Sequence, residues 1–119
     1  METHRLVLTG DLNQFGFLFG GRLLGWIDEA SWIAASLDFP ACQFVTVGMD
    51  EVAFRHSVRQ GSILTIDCRK IRQGTTSVAY SVEVRDGRDA RRGVIFSTRV
   101  SFVNVDAEGR KQPLVVSIC

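Results

Sequence analysis

The chain has 119 residues, 45% of them hydrophobic and 23% charged, with fourteen Lys+Arg against thirteen Asp+Glu and a net charge of +1. That is one domain of ordinary globular composition, able to bury roughly two-thirds of its unfolded surface without metal or disulfide staples. The balanced charge removes the electrostatic case for nucleic acid or acidic lipid, and no apolar stretch nears the roughly 18–20 residues of a membrane span. The N-terminal residues, with Glu2, His4, Arg5 and Asp11 and no apolar block, do not read as a signal peptide. Cys42, Cys68 and Cys119 are widely spaced with no CxxC, so they read as reduced thiols of a cytoplasmic protein, with no metal site. A soluble, cytoplasmic single domain over residues 1–119 is expected.

In chain order, residues 5–8 (RLVL) form a short β-like run. Residues 20–37 (GGRLLGWIDEASWIAASL) predict a helix from their length, their Ala and Leu content and the stop at Pro40. Its apolar residues go almost all the way round, which predicts a helix buried by something wrapped about it. Residues 44–58, 62–71, 75–85 and 93–105 predict strands, the last two by clear period-2 alternation such as Val78, Tyr80, Val82 and Val84. Gln73-Gly74 and Asp86-Gly87 are short connections, the second read as a hairpin turn whose glycine takes positive φ, so successive strands are antiparallel. The whole predicts an α+β domain, an antiparallel sheet curled round one long helix. The tail after Asp106 reads as a turn followed by a partly mobile end.

The chemistry concentrates in Asn13-Gln-Phe-Gly16-Phe-Leu-Phe19-Gly20-Gly21, followed by Asp28. The first turn of a helix has N–H groups without intrahelical acceptors, and glycine lets a ligand approach them closely. With the helix dipole behind them, the Gly20 and Gly21 amides suit a developing oxyanion. Asp28, flanked by Trp26, Ile27 and Ala30, suits a general base. It stands roughly 10 Å further along the same helix, too far for both to act on one carbon. Two antiparallel helices from two subunits would bring donor and base together, so a homodimer is expected to be required. The bland reading is that the glycines serve packing and that Asp28 faces a polar strip beside Glu29.

The string LNQFGFLFGGRLLGWIDEASWIAA resembles the signature of hotdog-fold acyl-CoA thioesterases of the cytosolic acyl-CoA hydrolase type. VTVGMDEVAFRHSV, RQGTTSVAYSVEV and FVNVDAEGR are similar to that family's second strand region, coenzyme A segment and closing strand, so the resemblance covers most of the chain. It implies a hotdog fold and hydrolysis of acyl-CoA to a free acid and coenzyme A. Asp28 would be the catalytic carboxylate, Asn13 its polar partner from the opposite subunit, and Gly20 and Gly21 the oxyanion donors. Gly74, Thr75, Thr76 and Ser77 would meet coenzyme A, with Arg72 and Arg55 as nearby cations. The resemblance also implies a dimer that associates into a trimer of dimers, and no cofactor. The sequence departs from the family at Ser57, where a proline is usual, and at Gly61-Ser62, where Gly-Asp is usual.

Other features are weaker. His4 and His56 lack a metal or triad partner at recognisable spacing, and Arg85, Arg88, Arg91 and Arg92 alternate with Asp86 and Asp89 as in a solvated turn. Phe15, Phe17, Phe19, Trp26 and Trp32 are candidates to line an acyl channel. Two alternatives stand beside hydrolysis of acyl-CoA: a non-catalytic acyl-CoA binding hotdog module, and a thioesterase acting on acyl carrier protein.

Overall fold

The structure, a computed structural model, describes residues 1–116. Cys119 lies outside the described residues. The elements run β1 (Glu2–Leu6), α1 (Gly20–Asp38), β2 (Phe44–Phe54), β3 (Ile63–Gln73), β4 (Ser77–Asp86) and β5 (Val94–Asn104), with 3₁₀ turns at Thr9–Asp11 and Ala90–Arg92. All strand pairings are antiparallel, in the order β1-β3-β4-β5-β2. The helix lies across β2, β3, β4 and β5, the α+β arrangement the alternation predicts.

The core is the seam between helix and sheet. Leu23, Ile27, Ala30 and Ala34 recur at helical spacing and pack on the inward strand positions Val78, Tyr80, Val82, Val84, Phe96, Val100 and Phe102. Each large apolar side chain buried there contributes about 1.5–3 kcal/mol relative to leaving it exposed. The helix opens on two glycines without a side-chain cap, and its first turn is closed by Phe19 O, which accepts from both Arg22 N–H (3.0 Å) and Leu23 N–H (3.2 Å).

Three expectations are corrected. The first strand spans Glu2–Leu6, set by pairing with Asp67 to Ile63 on β3, so Val7 and Leu8 fall beyond it. The helix is buried along one stripe only, with Trp32 45% and Leu37 69% exposed, because the sheet covers a single side of it. Gly87 is not a positive-φ residue; the β4–β5 connection passes through the 3₁₀ turn and uses Gly93 at φ 71° instead. The tail is held as far as Leu114, since Asn104 Nδ2 donates to Pro113 O (2.8 Å) and Leu114 N–H to Thr75 O (2.8 Å), whereas the mobile end expected beyond it includes residues 117–119, outside the described residues.

The two sheet edges differ. β1 carries Glu2, His4 and Arg5, the charged kind of edge that resists further pairing. β2 leaves Val45, Val47, Val52 and Phe54 exposed. It also carries register shifts between Thr46 and Gly48 and between Asp50 and Ala53, where Glu51 sits at φ 55°.

Candidate active site

The loop before the helix is built around Asn13. Its Oδ1 accepts from the N–H groups of Phe15 (2.9 Å) and Phe17 (3.1 Å), its own N–H donates to Phe17 O (2.7 Å), and Gly16 turns the chain at φ 83°. This spends the carboxamide oxygen on the loop and leaves the Nδ2 group as the donor available to a ligand. Asp11 fixes the loop to the helix, with Phe19 N–H donating to Asp11 O at 2.9 Å and Arg22 Nε paired to its carboxylate at 3.3 Å.

A cleft of about 330 Å³ opens here, lined by Asn13, Gly20, Leu23, Phe54, Arg55 and His56 among others. Among the described residues, the Gly20 and Gly21 amides have no hydrogen-bond acceptor. A Cβ on Gly20 would stand 3.4 Å from Phe54 Cζ, so the strand end closes on the helix start. A second cavity of about 630 Å³ lies along the next face of the helix, bounded by Phe19, Gly21, Gly25, Trp26, Arg5 and Glu29.

Asp28 is elsewhere. It is half-buried two turns along the helix, and Thr46 Oγ1 on β2 donates to its Oδ1 at 2.6 Å. One carboxylate oxygen is thereby positioned, and Oδ2 has no hydrogen-bond partner among the described residues. No motif marks Thr46; only its place in the FVTV alternation puts it on the same sheet face as the buried Phe44.

The coenzyme A candidates divide as well. Gly74, Thr75, Thr76 and Ser77 form the β3–β4 turn, closed by Gly74 N–H donating to Ser77 O (2.8 Å). In the sheet register Ser77 pairs with Val103 whereas Phe54 pairs with Phe96, so this turn and the Asn13 cleft lie at opposite ends of the sheet. Arg72 and Ser77 share a surface cavity of about 300 Å³ with Arg99 and Asp50. Arg99 clasps Asp50 in a bidentate pair of 3.1 and 2.7 Å, and that guanidinium holds the Asp50 carboxyl below its ordinary range. Arg55 stays at the cleft, donating to Ser97 Oγ at 2.9 Å. One chain therefore unites Asn13, Gly20 and Arg55, and separates them from Asp28 and from the Arg72–Ser77 end.

A profile of the thioesterase superfamily matches residues 15–92, more than half of the chain. The chain belongs to the thioesterase superfamily. Its hotdog fold agrees with its structural neighbours. An acyl-CoA thioester hydrolase, YciA, from Salmonella typhimurium is 28% identical over 116 residues, covering 93% of this chain and 86% of the relative. A hexameric hotdog fold thioesterase of Campylobacter jejuni superposes with a TM-score of 0.83 at 32% identity, over 95% of this chain and 88% of its own. The acyl-CoA hydrolase from Staphylococcus aureus, solved with butyryl coenzyme A and coenzyme A, gives 0.86 at 28% identity, over 98% and 71%. Forms of that superfamily member with an asparagine, an aspartate or a threonine replaced by alanine have also been solved.

The remaining candidates resolve simply. Arg92 pairs with Asp86 (3.0 Å) and Arg91 with Asp89 (3.2 Å), which makes the arginine cluster a self-paired turn. His4 sits against Thr65 on the sheet edge, whereas His56 lines the cleft, a placement that its lack of a partner in sequence does not signal. No helix among the described residues is long and apolar enough to cross a membrane.

Proposed function

We propose that the single domain hydrolyses acyl-CoA to a free acid and coenzyme A, in a site assembled from two copies of the chain. The observation that carries this reading is the separation of Asp28, held by Thr46, from the unoccupied amide donors of Gly20 and Gly21 beside Asn13. Neither half can turn over a thioester alone.

The open edge of β2 supplies the means of joining them. A two-fold axis near the middle of an antiparallel edge strand sets the start of one strand beside the end of the other. Thr46 and Asp28, near the start, then face the partner's cleft, which is closed by Phe54 at the end of its own β2. The exposed Val45, Val47, Val52 and Phe54 would be covered in the same step. The Arg72–Ser77 end of the chain that carries Asp28 lies at the same end of the sheet as Thr46 and so reaches the same region, where cations suit the phosphates of coenzyme A. Further association, as in the hexameric neighbours, would make a trimer of dimers.

In the joined site the thioester carbonyl oxygen accepts from the helix-start amides, which stabilise the charge that develops on it. Asp28 Oδ2 takes a proton from an attacking water, or attacks the carbon itself and is released by water afterwards. The tetrahedral centre collapses by expelling a thiolate, whose modest basicity removes the need for a strong acid. Asn13 Nδ2 orients the water or the substrate. No resident cofactor enters these steps.

Subunit mixing tests this arrangement. Asp28→Ala and Asn13→Asp are each made; the second keeps the loop's Oδ acceptor and loses the donor. Each alone should be inactive on acyl-CoA. Unfolding and refolding the two together should restore about a quarter of wild-type activity, since half the dimers are mixed and each has one intact site. No recovery on mixing, with mixed dimers shown to form, would place the site within one chain.

A further inference from the structure

Trp32 is a tryptophan with a large exposed surface that is nonetheless fixed in place. It is 45% exposed, yet its Nε1–H donates to Phe44 O at 3.1 Å. That carbonyl lies on the open edge of the sheet. Gln43 O is taken by Val105 N–H on the β5 side, so strand alternation turns the peptide groups of Phe44 the other way. The indole therefore stands over the first rung of the free edge, one helical turn beyond Asp28 on the same helix face.

In the other direction the same face carries Leu24, packed against the core, between two glycines. Gly25 and Gly21 precede Asp28 by three and seven residues and offer no side chain, and a Cβ built on Gly25 meets nothing within 4 Å. Trp32 is thus the exposed large apolar side chain one turn from Asp28 on this face, and β2 holds both residues, Asp28 through Thr46 and Trp32 through Phe44.

We infer that Trp32 is a specificity-determining residue that forms the end wall of the acyl pocket and restricts the site to short acyl groups. The inference rests on the proposed two-chain thioesterase site. The coenzyme A part of the substrate is polyanionic and belongs with the cations and solvent, whereas the acyl part seeks apolar surface, and Trp32 offers it beside the reacting carbon. A tethered indole cannot swing aside to admit a longer chain without leaving its hydrogen bond unmade. A phenylalanine would keep most of the wall; an alanine would remove it.

The test is the ratio of kcat/KM across acetyl-, butyryl-, hexanoyl-, octanoyl-, dodecanoyl- and palmitoyl-CoA for wild type, Trp32→Ala and Trp32→Phe. Oligomeric mass is followed by light scattering and folding by circular dichroism. Wild type should favour the short esters. Trp32→Ala should move the octanoyl-to-butyryl ratio at least about tenfold toward the longer ester while staying dimeric, and Trp32→Phe, which keeps a ring but loses the hydrogen bond, should move it less. If Trp32→Ala does not fold, Trp32→Leu carries the same expectation with less space removed. An unchanged profile in a folded dimer, or dissociation of the dimer with equal loss on every ester, would make Trp32 a packing residue and overturn the inference. A wild-type protein inactive on every ester would instead overturn the thioesterase reading beneath it.

Discussion

Thr46 Oγ1 lies 2.6 Å from Asp28 Oδ1, joining the middle of the helix to the edge strand across eighteen residues of sequence. A hydroxyl donating to a carboxylate fixes its orientation and marks which oxygen is left to react. Hydrogen bonds to charged groups contribute about 1.5–3 kcal/mol. Thr46→Val, which keeps the shape and removes the donor, should therefore lower kcat on acyl-CoA roughly tenfold to a hundredfold with KM little changed. Thr46→Ser should recover most of it. Steady-state kinetics on the three proteins checks this, and a Thr46→Val enzyme with wild-type kcat would reduce the contact to packing.

That contact shows where sequence reading stops. The helix and the four long strands are legible because periodicity and turn residues are local. Thr46 is not, since its partnership depends on β2 lying at the sheet edge under the helix, a consequence of the non-local β5–β2 pairing. The apolar face carrying Trp32 and Leu37 misleads for a related reason. Composition reports that it wants cover, without saying that no surface among the described residues supplies it. Asp86-Gly87 is the converse case, where a strong turn signal marks a real turn but the glycine is there for space.

Gly87 gives a direct test of that distinction. A Cβ at this position would stand 3.1 Å from Ile63 O and 3.1 Å from Thr65 Oγ1, and the first of these is backbone that cannot turn away. Gly87→Ala should cost about 1–3 kcal/mol through overpacking against β3. At this chain length that is a fall in Tm of roughly 4–15 °C. A calorimetric melt unchanged within a degree would show that the hairpin relaxes freely.

Asp86 should govern part of the acid limb of stability. The Arg88 N–H donating to its Oδ1 at 2.9 Å, and then the Arg92 guanidinium at 3.0 Å, hold this carboxyl below its ordinary value. A carboxyl depressed on folding stabilises the protein above its unfolded pKa of roughly 3.9, and that stabilisation is lost as pH falls through the lower folded value. Asp86→Asn should consequently lower the urea midpoint at pH 7, and the two proteins should converge as the medium is acidified below that range. Midpoints that stay equally far apart at every pH would assign the difference to the arginine contacts without a titration.

At the alkaline end the sign reverses and the group is Cys68. Burial is the main cause that pushes its thiol up to about 11, opposed by the N-terminal ammonium and reinforced by Asp67. A thiol raised on folding contributes stability that is complete below its unfolded pKa, roughly 8.5, and is lost as pH rises toward the folded value. The stability advantage of wild type over Cys68→Ala should therefore narrow between about pH 9 and 11. The same burial keeps the thiolate scarce and shielded at neutral pH, whereas Cys42 is only half-buried. In a Cys119→Ser background, iodoacetamide at pH 8 should alkylate Cys42 first and reach Cys68 only when the protein is unfolded, as peptide mass mapping would read directly. Equal labelling of both thiols in the folded protein would mean that the helix–sheet seam opens far more readily than its packing implies.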